Sequence, residues 1–172
     1  MYAVVAVSNL VMPHMIGWLV RNFDSIPIDH NLRYLIRDLP TYLKKIFEKP
    51  CWILIYPEEE LWFNYRKPRP LKKGAYFCAA KLNKPIISTF TELRATSRRE
   101  VWQRDFYKTK SILHVLPTIY PDPHLSVGEN TQKMWQTDYQ QKKSAYEKYY
   151  NCKLTSDFSN EDIVGYSPRR KR

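Results

Sequence analysis

Cys51-Trp52-Ile53-Leu54-Ile55-Tyr56 is an unbroken apolar run closed by Pro57. It is too short for a buried helix and lacks the polar alternation of a half-exposed strand, so it reads as a strand buried on both faces. Gly74 to Asn83 reads as a short helix, Pro85 to Phe90 as a second buried strand and Ser111 to Leu116 as a third. Upstream, Leu32, Leu35, Ile36, Leu39, Leu43, Ile46 and Phe47 recur at helical spacing between Arg, Lys and Asp. That is an amphipathic helix which Pro40 either kinks or starts. The order helix, strand, loop, helix, strand predicts an α/β domain with a largely parallel sheet.

After Pro123 the pattern becomes a polar, Tyr-rich helix, with Trp135, Tyr139, Tyr146 and Tyr150 on one face at spacings of four and seven. This aromatic stripe either docks the helix to its own domain or serves a binding role. No internal repeat interrupts the chain, and four glycines offer few hinge points, so residues 1–155 are expected to form one domain. Residues 156–172, ending in Ser167-Pro168-Arg169-Arg170-Lys171-Arg172, are expected to be a disordered basic tail.

The formal net charge is +11, from 28 Lys+Arg against 17 Asp+Glu, so the surface should attract polyanions, whether nucleic acid or anionic lipid headgroups. Cys51, Cys78 and Cys152 lie far apart with no C-x-x-C pair, which argues against a disulfide framework and a zinc site and for reduced thiols in the cytosol. No metal ligand set is expected. Met1 to Val20 carry no charged side chain, but Ser8, Asn9, Pro13, His14 and Gly17 interrupt the run. A core segment or one lying at a membrane surface is therefore favoured over a single N-terminal span.

Four blocks now stand in order. Ile16-Gly17-Trp18-Leu19 is followed by Ile26-Pro27-Ile28-Asp29-His30, then Tyr56-Pro57-Glu58, then Leu71-Lys72-Lys73-Gly74-Ala75 leading to Lys84-Pro85-Ile86-Ile87. Over about residues 10 to 120 the chain resembles bacterial glycerolipid acyltransferases of the lysophosphatidic-acid type. Those enzymes carry a Gly-Trp turn, an Ile-x-Ile-Asp-Arg block, a buried strand ending in Phe-Pro-Glu-Gly-Thr-Arg, a basic loop, a Lys-x-Gly-Ala helix start and a Val-Pro-Ile strand. The resemblance implies a mostly parallel sheet flanked by helices, incomplete at the N-terminus and extended by the C-terminal Tyr-rich helix. It also implies acyl transfer to a lysophospholipid in phospholipid biosynthesis, with acyl-CoA, acyl-carrier protein or acyl phosphate as donor and no other cofactor.

The departures are equally informative. Glu59-Glu60-Leu61 stands where the family has Gly-Thr-Arg, removing its phosphate-binding arginine, and His30 replaces the arginine after Ile28-Asp29. A subfamily with Tyr-Pro-Glu, a Trp-rich turn and Tyr-Arg-Lys-Pro-Arg-Pro is more similar, which implies a variant binding loop. The family's His-x-x-x-x-Asp is absent: five positions on from His14, His30, His114 and His124 stand Leu19, Leu35, Ile119 and Glu129. In the family that His is the general base, and the Asp orients it. The expectation is an N-terminally truncated or split reading frame, inactive as isolated, whose missing half a separate chain could supply.

Arg66, Lys67, Arg69, Lys72 and Lys73 place five cations within eight residues, in a loop stiffened by Pro68 and Pro70. Such a loop is either solvated or built to bind a phosphomonoester, which Arg engages through bidentate hydrogen bonds. Gly74 at the helix start would add backbone N–H donors. With the resemblance, the phosphate-binding set is Glu58, Arg66, Lys67, Arg69, Lys72 and Lys73, with Glu58 holding an arginine of the loop or forming part of a solvated acidic turn. Trp62, Phe63 and Tyr65 suit either a membrane interface or the core. The implied partners are a lysophospholipid, an acyl donor and an anionic membrane at its cytoplasmic face, where the chain would sit peripherally. The alternatives are a non-catalytic lipid- or anion-binding protein and, ranked last because no recognition motif supports it, a nucleic-acid-binding protein.

Overall fold

The computed structural model describes residues 1–29 and 31–168, and the side chains of all of these except His14, Ile16 and Leu19. Strand β1 (Tyr2–Ala6) lies between β2 (Ser25–Ile28) and β3 (Ile53–Leu54), parallel to both, with Val4 opposite Ile26 and Tyr2 opposite Ile53. Helices α1 (Val7–Leu10) and α2 (His14–Asn22) connect β1 to β2, and a π turn over Tyr34–Asp38 runs into α3 (Leu39–Ile46). Residues 32–46 follow one unbroken helical path, with helical angles at Arg33, Asp38 and Leu39, so Pro40 does not start the helix but sits inside it, just after the wider π turn, where its ring offers no N–H to the ladder. Ile26, Leu39, Leu43 and Cys78 form the core between this sheet, α3 and α4 (Gly74–Lys81).

Helix α4 is apolar all round because it is covered on two sides. Cys78 faces the sheet, while Tyr76 and Ala80 face Met134 on α5 (Val127–Tyr150), together with Leu71 and Ile119. Burying a large apolar side chain of this kind contributes about 1.5–3 kcal/mol. Helix α5 starts at a capping box, in which Ser126 Oγ accepts from Glu129 N–H and Glu129 Oε2 accepts from Ser126 N–H. Its Trp135 and Tyr139 pack on α4, and Tyr146, Tyr149 and Tyr150 pack around Phe90, so the stripe docks the helix to its own domain.

Four expectations need correction. The run Cys51 to Tyr56 forms only a short strand at the sheet's edge, with Trp52 and Tyr56 about two-thirds exposed, because no fourth strand covers it among the described residues. Pro85 to Phe90 is not a strand of that sheet. Ile86 makes a single bridge to Ile119, and the strand proper is β4 (Thr89–Arg99), paired antiparallel with β5 (Tyr107–Val115) in a sheet of its own. Beyond Phe90 the sequence alternates, with Phe90 and Glu92 inward and Thr89 and Thr91 outward, which is the pattern of a half-exposed hairpin.

Gly17-Trp18 lies inside α2 and forms no turn; glycine is required there because a Cβ would collide with the Met12 carbonyl. Finally, residues 156–168 are placed against the body of the domain, because hydrogen bonds and Asp162 tie them to residues 64–67 and 105–107. His30 and Arg169 to Arg172 lie outside the described residues. Among the described residues no helix is long and apolar enough to cross a membrane, and the three cysteines are free thiols.

Candidate functional site

The basic loop leaves the sheet after β3 and returns to α4, its ends joined by Lys72 N–H donating to the Pro57 carbonyl at 2.8 Å. Glu59 N–H donates to the Tyr56 carbonyl, and Glu59 itself sits at φ 61°, a left-handed conformation that glycine adopts without cost. The turn therefore keeps the backbone of a glycine while carrying a glutamate. Inside the loop, Arg69 lies over the Trp62 ring at 4.2 Å and donates to the Glu60 carboxylate at 2.7 Å and to its carbonyl at 3.2 Å. Trp62 Nε1 donates to the same carboxylate at 3.2 Å. These hydrogen bonds from Arg69 and Trp62 hold the Glu60 carboxyl below its ordinary range.

The six predicted residues divide into two groups. Arg66 and Lys67 face the C-terminal segment, where both meet Asp162, at 3.4 and 2.8 Å. Lys67 also donates to the Asp157 carbonyl at 2.6 Å and to Thr155. Asp162 is 2% exposed; burial would raise its carboxyl, but the hydrogen bonds from Lys67 and from Ser159 N–H, with the Lys67 and Arg66 charges, bring it below its ordinary value. Arg69, Lys72, Lys73 and Glu58 lie around the closure of the loop and the start of α4. Lys72 is exposed, and Lys73 Nζ donates to Gln132 at 2.6 Å and lies 4.8 Å from the Trp135 ring. Lys73 is the N-cap of α4 and provides no side-chain cap, so the first N–H groups of that helix are open to an anion.

Glu58 is half-buried and accepts from Arg69 N–H; burial raises its carboxyl, against the lowering effects of that hydrogen bond, Lys142 and Arg69. Lys142 belongs to a buried network that sequence reasoning missed. Its ammonium donates to both Asp138 oxygens at 2.7 and 2.8 Å and to Ser88 Oγ at 2.7 Å, while Tyr76 and Ser88 hydroxyls donate to Asp138. Burial first, then the Asp138 carboxylate, raises the Tyr76 phenol far above its ordinary value. The i, i+4 spacing of Asp138 and Lys142 was the one available signal. Asp162 gave none, being 96 positions from Arg66.

His114 Nε2 donates to the Glu92 carboxylate at 2.8 Å in the hairpin, with its ring stacked 3.7 Å from that of Tyr149. Among the described residues no group of three or more His, Cys, Asp or Glu could hold a metal. The hollow lined by Arg37, Asp38, Thr41, Tyr42 and Lys45 includes no residue of the loop.

A family model for acyltransferases matches residues 1–91, more than half of the 172 residues. The chain belongs to the acyltransferase family. The match takes in the parallel sheet, α1 to α4 and the whole basic loop, and it stops as β4 begins. Acyl transfer is the chemistry of the family that this portion matches, while α5 and the C-terminal segment that brace its loop lie beyond the match. Comparison with curated proteins and with solved structures gives no match.

Proposed function

We propose that this acyltransferase-family chain binds a phosphate-bearing acyl acceptor of the lysophospholipid class, for acylation from a thioester or acyl-phosphate donor in phospholipid synthesis. Arg69, Lys72 and Lys73, with the open N-terminus of α4, supply the positive charge for the phosphate. Arg66 and Lys67 anchor the loop on Asp162, and Glu58 fixes the Arg69 backbone. The observation that carries this reading is the seating of Arg69 between the Trp62 ring and Glu60, which holds a guanidinium in place within the family's matched region. A rigid fork loses less rotamer freedom on binding than a solvated side chain.

The test is binding to the isolated chain of lysophosphatidate and of the matching monoacylglycerol, by calorimetry below the aggregation threshold of the lipids. Arg69→Ala is expected to weaken lysophosphatidate binding by about tenfold to a hundredfold, the loss of one charge-assisted contact, and to leave monoacylglycerol unchanged. Arg69→Lys recovers part of the loss. Equal losses for both lipids would remove the phosphate site from this loop. A second reading, lipid binding without catalysis, is favoured by one observation: none of the four histidines has an aspartate five positions on. Acyl transfer by residues 1–172 alone, absent after boiling, would exclude it.

A further inference from the structure

Leu61, Trp102 and Val101 are 96%, 93% and 67% exposed. Single exposed apolar residues are ordinary, but these belong to two tips that rise from one junction. Phe63, two positions from Leu61, meets Phe106 at 5.1 Å, and Phe106 meets Tyr166 at 5.3 Å. Asn64 accepts from Thr109 Oγ1 at 3.3 Å, and Trp62 packs edge-on to Phe158 at 6.0 Å. The inner rings brace one another, and the apolar tips beyond them touch solvent.

The hairpin that carries Val101 and Trp102 is strongly basic. From Arg94 to Lys110 there are Arg94, Arg98, Arg99, Arg104, Lys108 and Lys110 against Glu100 and Asp105. Arg99 is fixed at the neck, 4.5 Å over the Tyr107 ring and donating to the Arg104 carbonyl at 2.9 Å, whereas Arg98 and Arg104 are exposed.

We propose that the outer end of the β4–β5 hairpin and the adjoining loop at Leu61 to Phe63 form a surface that inserts into the headgroup layer of an anionic lipid membrane. Apolar and aromatic tips ringed by arginine match that layer on both counts, since indole rings settle at headgroup depth and each basic residue gains from the negative surface potential. A single-stranded nucleic acid would use the charge and Trp102, but the aliphatic Leu61 and Val101 offer no ring face for stacking, so the membrane is the better fit. The proposal does not rest on the acyl-transfer reading.

The test is sedimentation of the full chain with vesicles of phosphatidylcholine, with and without phosphatidylglycerol. The chain is expected to bind the anionic vesicles and to release at high salt. Val101→Ser with Trp102→Ser should lower vesicle affinity by about tenfold or more, with the thermal melt unchanged because both side chains are exposed. Arg98→Gln with Arg104→Gln should lower affinity for anionic vesicles by roughly thirtyfold, about fivefold per charge, and leave neutral vesicles unaffected. Binding of soluble lysophosphatidate should be the same in all variants, which keeps this surface distinct from the phosphate site. The proposal is overturned if the chain ignores anionic vesicles, if the variants bind as the parent does, or if they lose soluble lysophosphatidate. A matching loss for a single-stranded oligonucleotide, with vesicle binding intact, would reassign the surface to nucleic acid.

Discussion

Glu59 shows how a single backbone angle preserves a family feature that its side chain has lost. A non-glycine residue in the left-handed region costs roughly 1–2 kcal/mol, partly offset by the greater freedom of glycine in the unfolded chain. Glu59→Gly is therefore expected to stabilise the chain by about 0.5–1 kcal/mol in urea unfolding, with an unchanged m-value. Its neighbour makes the opposite point through charge. Glu58 is an acid whose folded pKa is raised, first by burial, so its ionisation weakens the fold. The penalty is absent below the ordinary glutamate range and complete above the raised value. Glu58→Gln should accordingly raise the melting temperature at about pH 8, with the gain vanishing at about pH 4. Charge at these positions was legible from Glu58 and the five cations, because residue types announce it. Which cations already have carboxylate partners was not: Glu60 has no distinctive spacing to Arg69, nor Asp162 to Arg66 and Lys67.

At the scale of elements, α3, α4 and α5 were legible, and so was the strand at Ser111 to Leu116, which overlaps β5; α1, α2 and the other strands were not. Helix α4 and helix α5 fall close to where apolar and aromatic periodicity put them, and the periodic run from Leu32 to Phe47 is helical through Pro40, with a π turn before it. The capping box at Ser126 tests how far α5 depends on its first turn. Ser126→Ala should cost about 1 kcal/mol, read as a lower urea midpoint. The other strands failed for two physical reasons. An apolar run such as Cys51 to Tyr56 does not reveal that it sits at a sheet edge. Antiparallel pairing of β4 with β5 depends on a partner rather than on local composition, and the polar half of β4, Arg94 to Arg98, is exposed throughout and so carries no apolar alternation.

At the scale of the whole molecule, the loop of the matched region and the β4–β5 hairpin beyond it are both tied to the C-terminal segment. Arg66 N–H donates to the Asp162 carbonyl, Val164 N–H to the Asn64 carbonyl and Tyr107 N–H to that of Gly165, where φ of +82° suits glycine. The Asp162 carboxylate, matched to Arg66 and Lys67, is the electrostatic part of this closure. Because its folded pKa is lowered, its stabilisation is present above the ordinary aspartate range and is lost as pH falls through the folded value. Asp162→Asn should cost about 3 kcal/mol near neutrality, where it leaves the buried Lys67 ammonium without its carboxylate, and the difference should shrink in acid.

The Asp162 closure also has a consequence in time. A ribosome adds about 5–20 residues each second, so Asp162 emerges on the order of ten seconds after Lys67. Throughout that interval Arg66 and Lys67 lack their counterion, even after α4 has been made and can cover the sheet. The loop proposed to take the phosphate is thus braced only once the segment around Asp162 has been made.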